Sequence, residues 1–243
     1  MGYETVAAWA DPDREAPFVA EATSAIRLGP AALADSYLSV DALLDAAART
    51  GATAIHPGYG FLSENAAFAH AVEAAGLTWI GPHPRAIEQM GSKIEARRLA
   101  AAAGVPIIPG FDGSQDDEEL ARAADRIGYP VLVKAAAGGG GKGIRVVPRP
   151  EDFATALGRA RSEARRAFGD DAMIVERYVQ RPRHVEVQIL GDRHGRIVDL
   201  GTRECSVQRR YQKVLEEAPA PNLSRATREG LCETARKLSL IHI

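Results

Sequence analysis

Cysteine is scarce in this sequence: Cys205 and Cys232 are its only two, and no CxxC spacing occurs. That removes the CxxC redox and zinc motifs and fits free thiols in a reducing cytoplasm. Excess charge is also missing. Thirty Lys and Arg against 32 Asp and Glu leave a formal net charge of −2, so no global basic field points to nucleic acid or to an anionic membrane. No apolar run is long enough to span a bilayer, and no charged-then-apolar leader opens the chain. Internal repeats and low-complexity linkers are absent. What remains is ordinary globular composition, 46% hydrophobic and 26% charged over 243 residues, enough for a sizeable core and two units.

The pattern of elements changes part-way. Tyr3 to Ala10 reads as a strand. "SVDALLDAAARTG" reads as a helix capped by Ser39 and stopped at Gly51. "ATAIHP", "NAAFAHAVEAAG" and "LTWIGP" follow as strand, helix and strand. Alternation of this kind predicts a parallel sheet with helical cover to about residue 88. Beyond "GVPIIPG" the strands "PVLVKAA" and "GIRVV" are separated only by glycines, and "PEDFATALGRARSEARRAFG" is an amphipathic helix with Phe153, Leu157, Ala160 and Ala164 on one side. Three further strands, "AMIVERYV", "HVEVQILG" and "GRIVDLGTREC", have hairpin-length links. The second half is therefore expected to be an antiparallel α+β unit.

A third absence sharpens the reading of the glycines. In "VLVKAAAGGGGKGIRVV", Lys142 is followed by Gly143 and a strand, not by Ser or Thr and a helix, so there is no Walker A loop. Gly138, Gly140 and Gly143 fit GxGxxG, but a dinucleotide fingerprint must also open a helix. A glycine-rich hairpin between strands can fold over phosphates and offer backbone N–H groups at close range, since no Cβ intervenes. Lys134, at the end of the preceding strand, could then meet a phosphate oxygen. A plain surface hairpin with a solvated Lys134 is the alternative. "IVERYV" could face an adenine with its backbone edge, Glu176 taking an amino group or a ribose hydroxyl.

In "RECSVQRRYQKVLEEAPAP", Arg203, Arg209, Arg210 and Lys213 alternate with Gln208 and Gln212. Cationic and amide groups this dense converge on an anion such as carboxylate, phosphate or bicarbonate, unless the segment is a solvated loop. "RPRHVEVQ" puts His184, Glu186 and Gln188 on one strand face. That face either lines a wet cleft or is an ordinary exposed sheet face.

Together, "AIHPGYGFLSEN", "GYPVLVKAAAGGGGKGIRVV", "RHVEVQILGD" and "RECSVQRRYQKVLEEAPAP" resemble the biotin carboxylase component of biotin-dependent carboxylases, which include acetyl-CoA, propionyl-CoA, methylcrotonyl-CoA and pyruvate carboxylases. The resemblance runs from residue 1 to about residue 237. It implies a partial Rossmann-like N-terminal domain over residues 1–88 and an incomplete ATP-grasp domain over residues 89–237, with a glycine-rich lid at about 108–178: α/β followed by α+β. It implies that Lys93 and Lys134 contact ATP phosphates under lid glycines Gly140 and Gly141, and that Glu176, Arg177 and Val179 contact adenine. His184 would lie near the ribose and the biotin, with Tyr59 and Gly60 near the biotin ring. Lys213 would hold bicarbonate, with Gln208, Arg209 and Tyr211 close to nucleotide and substrate. Tyr211 departs from the histidine that many members carry there, and a phenol does not become cationic.

The implied reaction is ATP-dependent carboxylation of carrier-linked biotin with bicarbonate, through carboxyphosphate, with Mg²⁺ or Mn²⁺. The implied partners are a biotin carboxyl carrier, a carboxyltransferase and a second copy of the chain; the implied compartment is the cytoplasm. Alternatives from the sequence are a ligase of the carbamoyl-phosphate synthetase type and a non-catalytic nucleotide-binding fragment. Family members carry another strand and helix ahead of "GYETVAAWA", and continue after "CETARK" into strands bearing metal-binding glutamates. The metal carboxylates are therefore expected outside this chain, and the chain alone is expected not to carboxylate biotin. The ending "LSLIHI", residues 238–243, matches nothing in the family and is expected to be a foreign tail.

Overall fold

The computed structural model describes residues 2–137, 142–192, 194–209 and 212–240. The chain divides into two compact units, residues 1–88 and 89–243.

The first unit contains β1 (Val6–Ala10), α1 (Pro17–Glu21), β2 (Ser24–Gly29), α2 (Val40–Thr50), β3 (Ala54–Ile55), α3 (Ala66–Ala74) and β4 (Thr78–Trp79); α4 (Pro84–Gly91) carries the chain across the boundary. Helix α2 starts where Ser39 Oγ accepts from Ala42 N at 3.2 Å and stops where Gly51 takes φ 67°, the left-handed turn that glycine adopts without a Cβ clash. Asn65 caps α3 in the same way, its Oδ1 accepting from Phe68 N at 2.9 Å. The expected single parallel sheet is present as two separate parallel pairs, β1–β2 and β3–β4. Each strand of the second pair is only two residues long; Pro57 and Pro82, which lack an N–H for a ladder, follow closely. Leu62, Phe68, Ala69, Val72, Trp79 and Ile87 form the core of this unit. Phe68 meets Trp79 edge-on at 5.5 Å, and the indole N–H donates to Pro82 O at 2.9 Å, so the ring is buried with its polar atom satisfied.

The second unit contains α5 (Lys93–Ala102), β5 (Gly110–Phe111), α6 (Asp117–Ile127), β6 (Val131–Ala135), β7 (Ile144–Val147), α7 (Phe153–Phe168), β8 (Met173–Arg177), β9 (Val185–Gly191), β10 (Ile197–Arg209), β11 (Gln212–Glu217) and α8 (Arg225–Leu240). Its strands form two antiparallel sheets, ordered β5–β8–β6–β7 and β11–β10–β9. In the four-stranded sheet, period-2 alternation sends Val131, Val133 and Ala135 of β6 into the core. They meet Leu120 and Ala124 of α6 and the predicted stripe of α7, Phe153, Leu157, Ala160 and Ala164, all buried. Asp116 starts α6, its Oδ1 accepting from Glu118 N and Glu119 N at 3.1 and 3.0 Å. Helix α8 packs on β10 and β9, with Arg236 paired to Asp199. The described part of the basic stretch after Arg203 is strand and not loop: β10 continues to Arg209 and pairs antiparallel with β11, with Gln208 opposite Lys213 and Arg209 opposite Gln212. Among the described residues no helix is long and apolar enough to cross a membrane.

Candidate functional site

Two charged constellations form in the second unit, one on each sheet. The first follows from the alternation of β6. With Val131, Val133 and Ala135 turned to the helices, Lys134 is turned to the opposite face. On neighbouring β8 the register pairs Lys134 with Ile174 and Leu132 with Glu176, so Glu176 shares the face of Lys134 one diagonal away. Glu176 is 6% exposed. Its carboxylate takes Lys134 Nζ on Oε2 at 2.7 Å and Arg97 Nη1, from α5, on Oε1 at 3.2 Å. Lys93 opens α5 and donates from Nζ to Ala137 O at 3.4 Å. Burial, and next the neighbouring Lys134 charge, pull the Lys93 ammonium below its ordinary pKa.

The base of the glycine hairpin is ordered by pairing: Lys134 opposes Ile144, and Ala135 N donates to Gly143 O at 3.1 Å. Gly143 has φ 69°, and a Cβ there would lie 3.0 Å from Ala135 Cβ, so both backbone and space require glycine. Two lysines thus converge beside the entry to a glycine-rich turn. That is the chemistry of a phosphate cradle. Gly140 and Gly141, assigned to the lid from the sequence, lie outside the described residues.

The adenine-edge expectation needs correction. Strand β8 is not an edge: β5 pairs with it on one side and β6 on the other. Arg177 N donates to Pro109 O at 2.9 Å and Tyr178 N to Pro130 O at 3.0 Å, so the backbone donors of these two residues are already used. The Glu176 carboxylate is held by its two cations, and Arg177 reaches Ile127 O at 2.9 Å through Nη2. Val179, 42% exposed, follows these positions.

The second constellation lies on β9, β10 and β11. Glu186 is the hub. Its Oε1 takes Lys213 Nζ, its Oε2 takes Arg203 Nη2 at 2.8 Å, and His184 Nε2 stands 3.2 Å from Oε1. The Lys213 contact foremost, opposed next by burial and then reinforced by the Arg203 contact, holds the Glu186 pKa at about 2. Lys213 is raised in turn by Glu186. Gln208 bridges His184 Nδ1 at 2.9 Å and Cys205 O at 2.8 Å through its amide nitrogen. Arg203 also donates to Gln188 Oε1 at 3.0 Å. The structure therefore brings together His184, Glu186, Gln188, Arg203, Gln208 and Lys213. Arg209 is exposed at the end of β10, opposite Gln212, and Tyr211 lies outside the described residues.

In the first unit, Tyr59 is 98% exposed. Its loop is shaped by Gly58 and Gly60, at φ 65° and 75°. It is anchored by Phe61, which stacks on Tyr37 at 4.8 Å; the Tyr37 hydroxyl donates to Asp13 at 2.6 Å. Arg97 and the Tyr37–Phe61 anchor belong to these arrangements and were not assigned from the sequence. Among the described residues no group of three His, Cys, Asp or Glu side chains gathers to hold a metal ion.

The comparisons with known proteins fit this geometry. Residues 92–242 match the family described as the ATP-binding domain of the carbamoyl-phosphate synthase L chain, and residues 1–87 match the biotin carboxylase N-terminal domain. The chain belongs to the biotin carboxylase family of biotin-dependent carboxylases. It is 52% identical over 236 residues to the rice mitochondrial methylcrotonoyl-CoA carboxylase subunit alpha, covering 97% of this chain and 32% of that protein. A complex of Campylobacter jejuni biotin carboxylase with β,γ-ATP superposes with TM-score 0.94 at 44% identity, over 99% of this chain and 54% of that one. The biotin carboxylase domain dimer of Hydrogenobacter thermophilus 2-oxoglutarate carboxylase, in complex with MgADP, ADP and bicarbonate, gives 0.90 at 42% identity, over 99% and 53%. The chain spans about a third of the length of the curated relatives it matches.

Proposed function

We propose that this chain supplies the nucleotide- and bicarbonate-facing part of a biotin carboxylase, which carboxylates carrier-linked biotin at the expense of ATP. The supporting observation is the convergence of Lys93 and Lys134 on the entry to the glycine-rich turn. In this reading residues 1–88 are a Rossmann-like N-terminal domain. Residues 89–237 belong to an ATP-grasp domain whose lid, about 108–178, closes its glycines Gly140 and Gly141 over the phosphates. Lys93 and Lys134 balance phosphate charge. The segment Glu176–Val179 borders the adenine, with Val179 supplying a backbone contact past the paired part of β8. His184 and Gln208 face the ribose and the biotin side, Tyr211 lies beside them, and Tyr59 and Gly60 approach the biotin ring.

Lys213, with Arg209 near it, receives bicarbonate. An oxygen of bicarbonate attacks the γ-phosphorus while the bond to the departing ADP oxygen breaks. The resulting carboxyphosphate splits into carbon dioxide and phosphate; the ureido nitrogen of biotin bonds to the carbon dioxide as its N–H proton passes to the released phosphate. The residues' part is to bind, orient and neutralise. Mg²⁺ would accompany the nucleotide and neutralise phosphate charge. Among the described residues no group of three His, Cys, Asp or Glu side chains gathers to hold it, and Glu176 and Glu186 are both paired with cations. A carrier domain, a carboxyltransferase and a second copy of the chain are the partners of this reading.

The ATP-binding family carries the name of carbamoyl-phosphate synthase, which supports a second reading as a ligase of that type. The match of residues 1–87 favours the biotin carboxylase. Calorimetric titration of the chain with ATP tests the proposal. Binding should weaken at least about tenfold in Lys93→Gln and in Lys134→Gln, the loss of one charge-assisted contact each. Unchanged affinity in both variants would overturn it.

A further inference from the structure

Arg97 stands outside every assignment above, yet it closes the first constellation. Its side chain is 12% exposed and that of Glu176 8%, so both charges are largely out of water. Space for the contact comes from residue 110. A Cβ on Gly110 would lie 2.8 Å from Glu176 Cγ, 2.9 Å from Val175 O and 3.1 Å from Arg97 Nη2. Any larger residue would force the pair apart. The position is therefore built for an Arg97–Glu176 contact on β8.

A buried carboxylate facing one ammonium forms a neutral pair that an incoming anion must break, and removing its partner would leave it uncompensated. With Arg97 on Oε1 and Lys134 on Oε2, Glu176 keeps a cation even while Lys134 turns toward another acceptor. An ammonium has three donors. Lys93 brings a further positive charge nearby.

We propose that Arg97 is a positioning residue for polyphosphate: by neutralising Glu176 it leaves the Lys134 charge available to nucleotide phosphates, and Gly110 supplies the room. The inference rests on the nucleotide reading above. Its ligand class is an inorganic or nucleoside polyphosphate.

The test uses the full chain with two readouts. The first is calorimetric affinity for tripolyphosphate, which has no adenine. Arg97→Met should weaken it on the order of tenfold. Arg97→Lys should retain most of the affinity, and Arg97→Met with Glu176→Gln should return it to within about twofold of wild type, because the carboxylate that captures Lys134 is gone. The second readout needs no ligand: acetylation of Lys134 by an amine-reactive reagent, followed by peptide mass spectrometry. Arg97→Met should slow it several-fold, since Glu176 then holds the ammonium alone, and the double variant should reverse the slowing. Gly110→Ala, which displaces Arg97, should act in the same direction and stands in if Arg97→Met does not fold. Wild-type acetylation in both Arg97→Met and Gly110→Ala would overturn the proposal, as would a double variant as weak for tripolyphosphate as Arg97→Met. If the wild-type chain binds neither ATP nor tripolyphosphate, the nucleotide reading fails, and the acetylation rates decide separately whether Arg97 governs Lys134.

Discussion

Glu176 and Glu186 are both carboxylates held between a lysine and an arginine, but they sit on different sheets and at different depths. The Glu176 side chain is 8% exposed, with partners at 12% and 21%. That of Glu186 is 25% exposed, with both partners at 35%. The same three groups therefore do two jobs. In the four-stranded sheet the pairing is obligatory, because a lone buried charge is far more costly than the pair is favourable. On the three-stranded sheet water can take over from either cation, so the Lys213 contact can be surrendered to an incoming anion at small expense. In the proposed reading, the first arrangement would serve the nucleotide and the second a small anion.

The comparison breaks first under truncation of the carboxylates. Glu176→Ala should destabilise the chain by about 3–5 kcal/mol in urea unfolding, since it strands two largely buried cations, whereas Glu186→Gln should lose no more than about half as much, its depressed pKa being discounted by water around the partners. Equal losses would mean that depth does not separate the two sites.

Acid sharpens the comparison next. The folded pKa of Glu186 is about 2 and its ordinary value 4.5. A depressed carboxylate contributes stability that is fully present above its unfolded pKa and is lost as pH falls through the folded one. The difference in stability between wild type and Glu186→Gln should therefore be constant above pH 4.5 and shrink from there toward pH 2. A difference that grows on acidification would reverse the assigned sign.

The smallest expected effect is that of salt. Between about 0.1 and 1 M the screening length falls from about 10 to about 3 Å. The Glu186→Gln difference should then shrink to within measurement error, while that of Glu176→Ala stays above half its low-salt value. Parallel salt slopes would sink the distinction.

What could be read from the sequence was whatever had a local cause. Ser39 and Gly51 bound α2 as expected because caps act within one turn. Phe153, Leu157, Ala160 and Ala164 are buried as their spacing required, and Lys134 stands at the base of the glycine hairpin. What stayed hidden depends on distant partners. The two-residue strand β5 turns β8 from an edge into an interior strand, and nothing in "PGFDG" announces that. Arg97 is 79 residues from Glu176 and sits in an unremarkable Arg-Arg pair. Its importance exists only where α5 meets the sheet. Helix α6 was a different kind of miss: "SQDDEELARAADRIG" carries an Asp cap, an acidic first turn and a glycine stop, signals that are legible without any structure.

The two cysteines have a practical corollary. Cys205 and Cys232 are both free and buried, and burial pushes both thiols above their ordinary pKa. Thiolate, the reactive form, is scarce at neutral pH, and what forms is shielded from reagents. A maleimide dye or spin label should therefore find almost no background on this chain. A single cysteine introduced on an exposed position, such as Tyr59, would report alone, and motion of that loop could be followed without first stripping the protein of its own thiols.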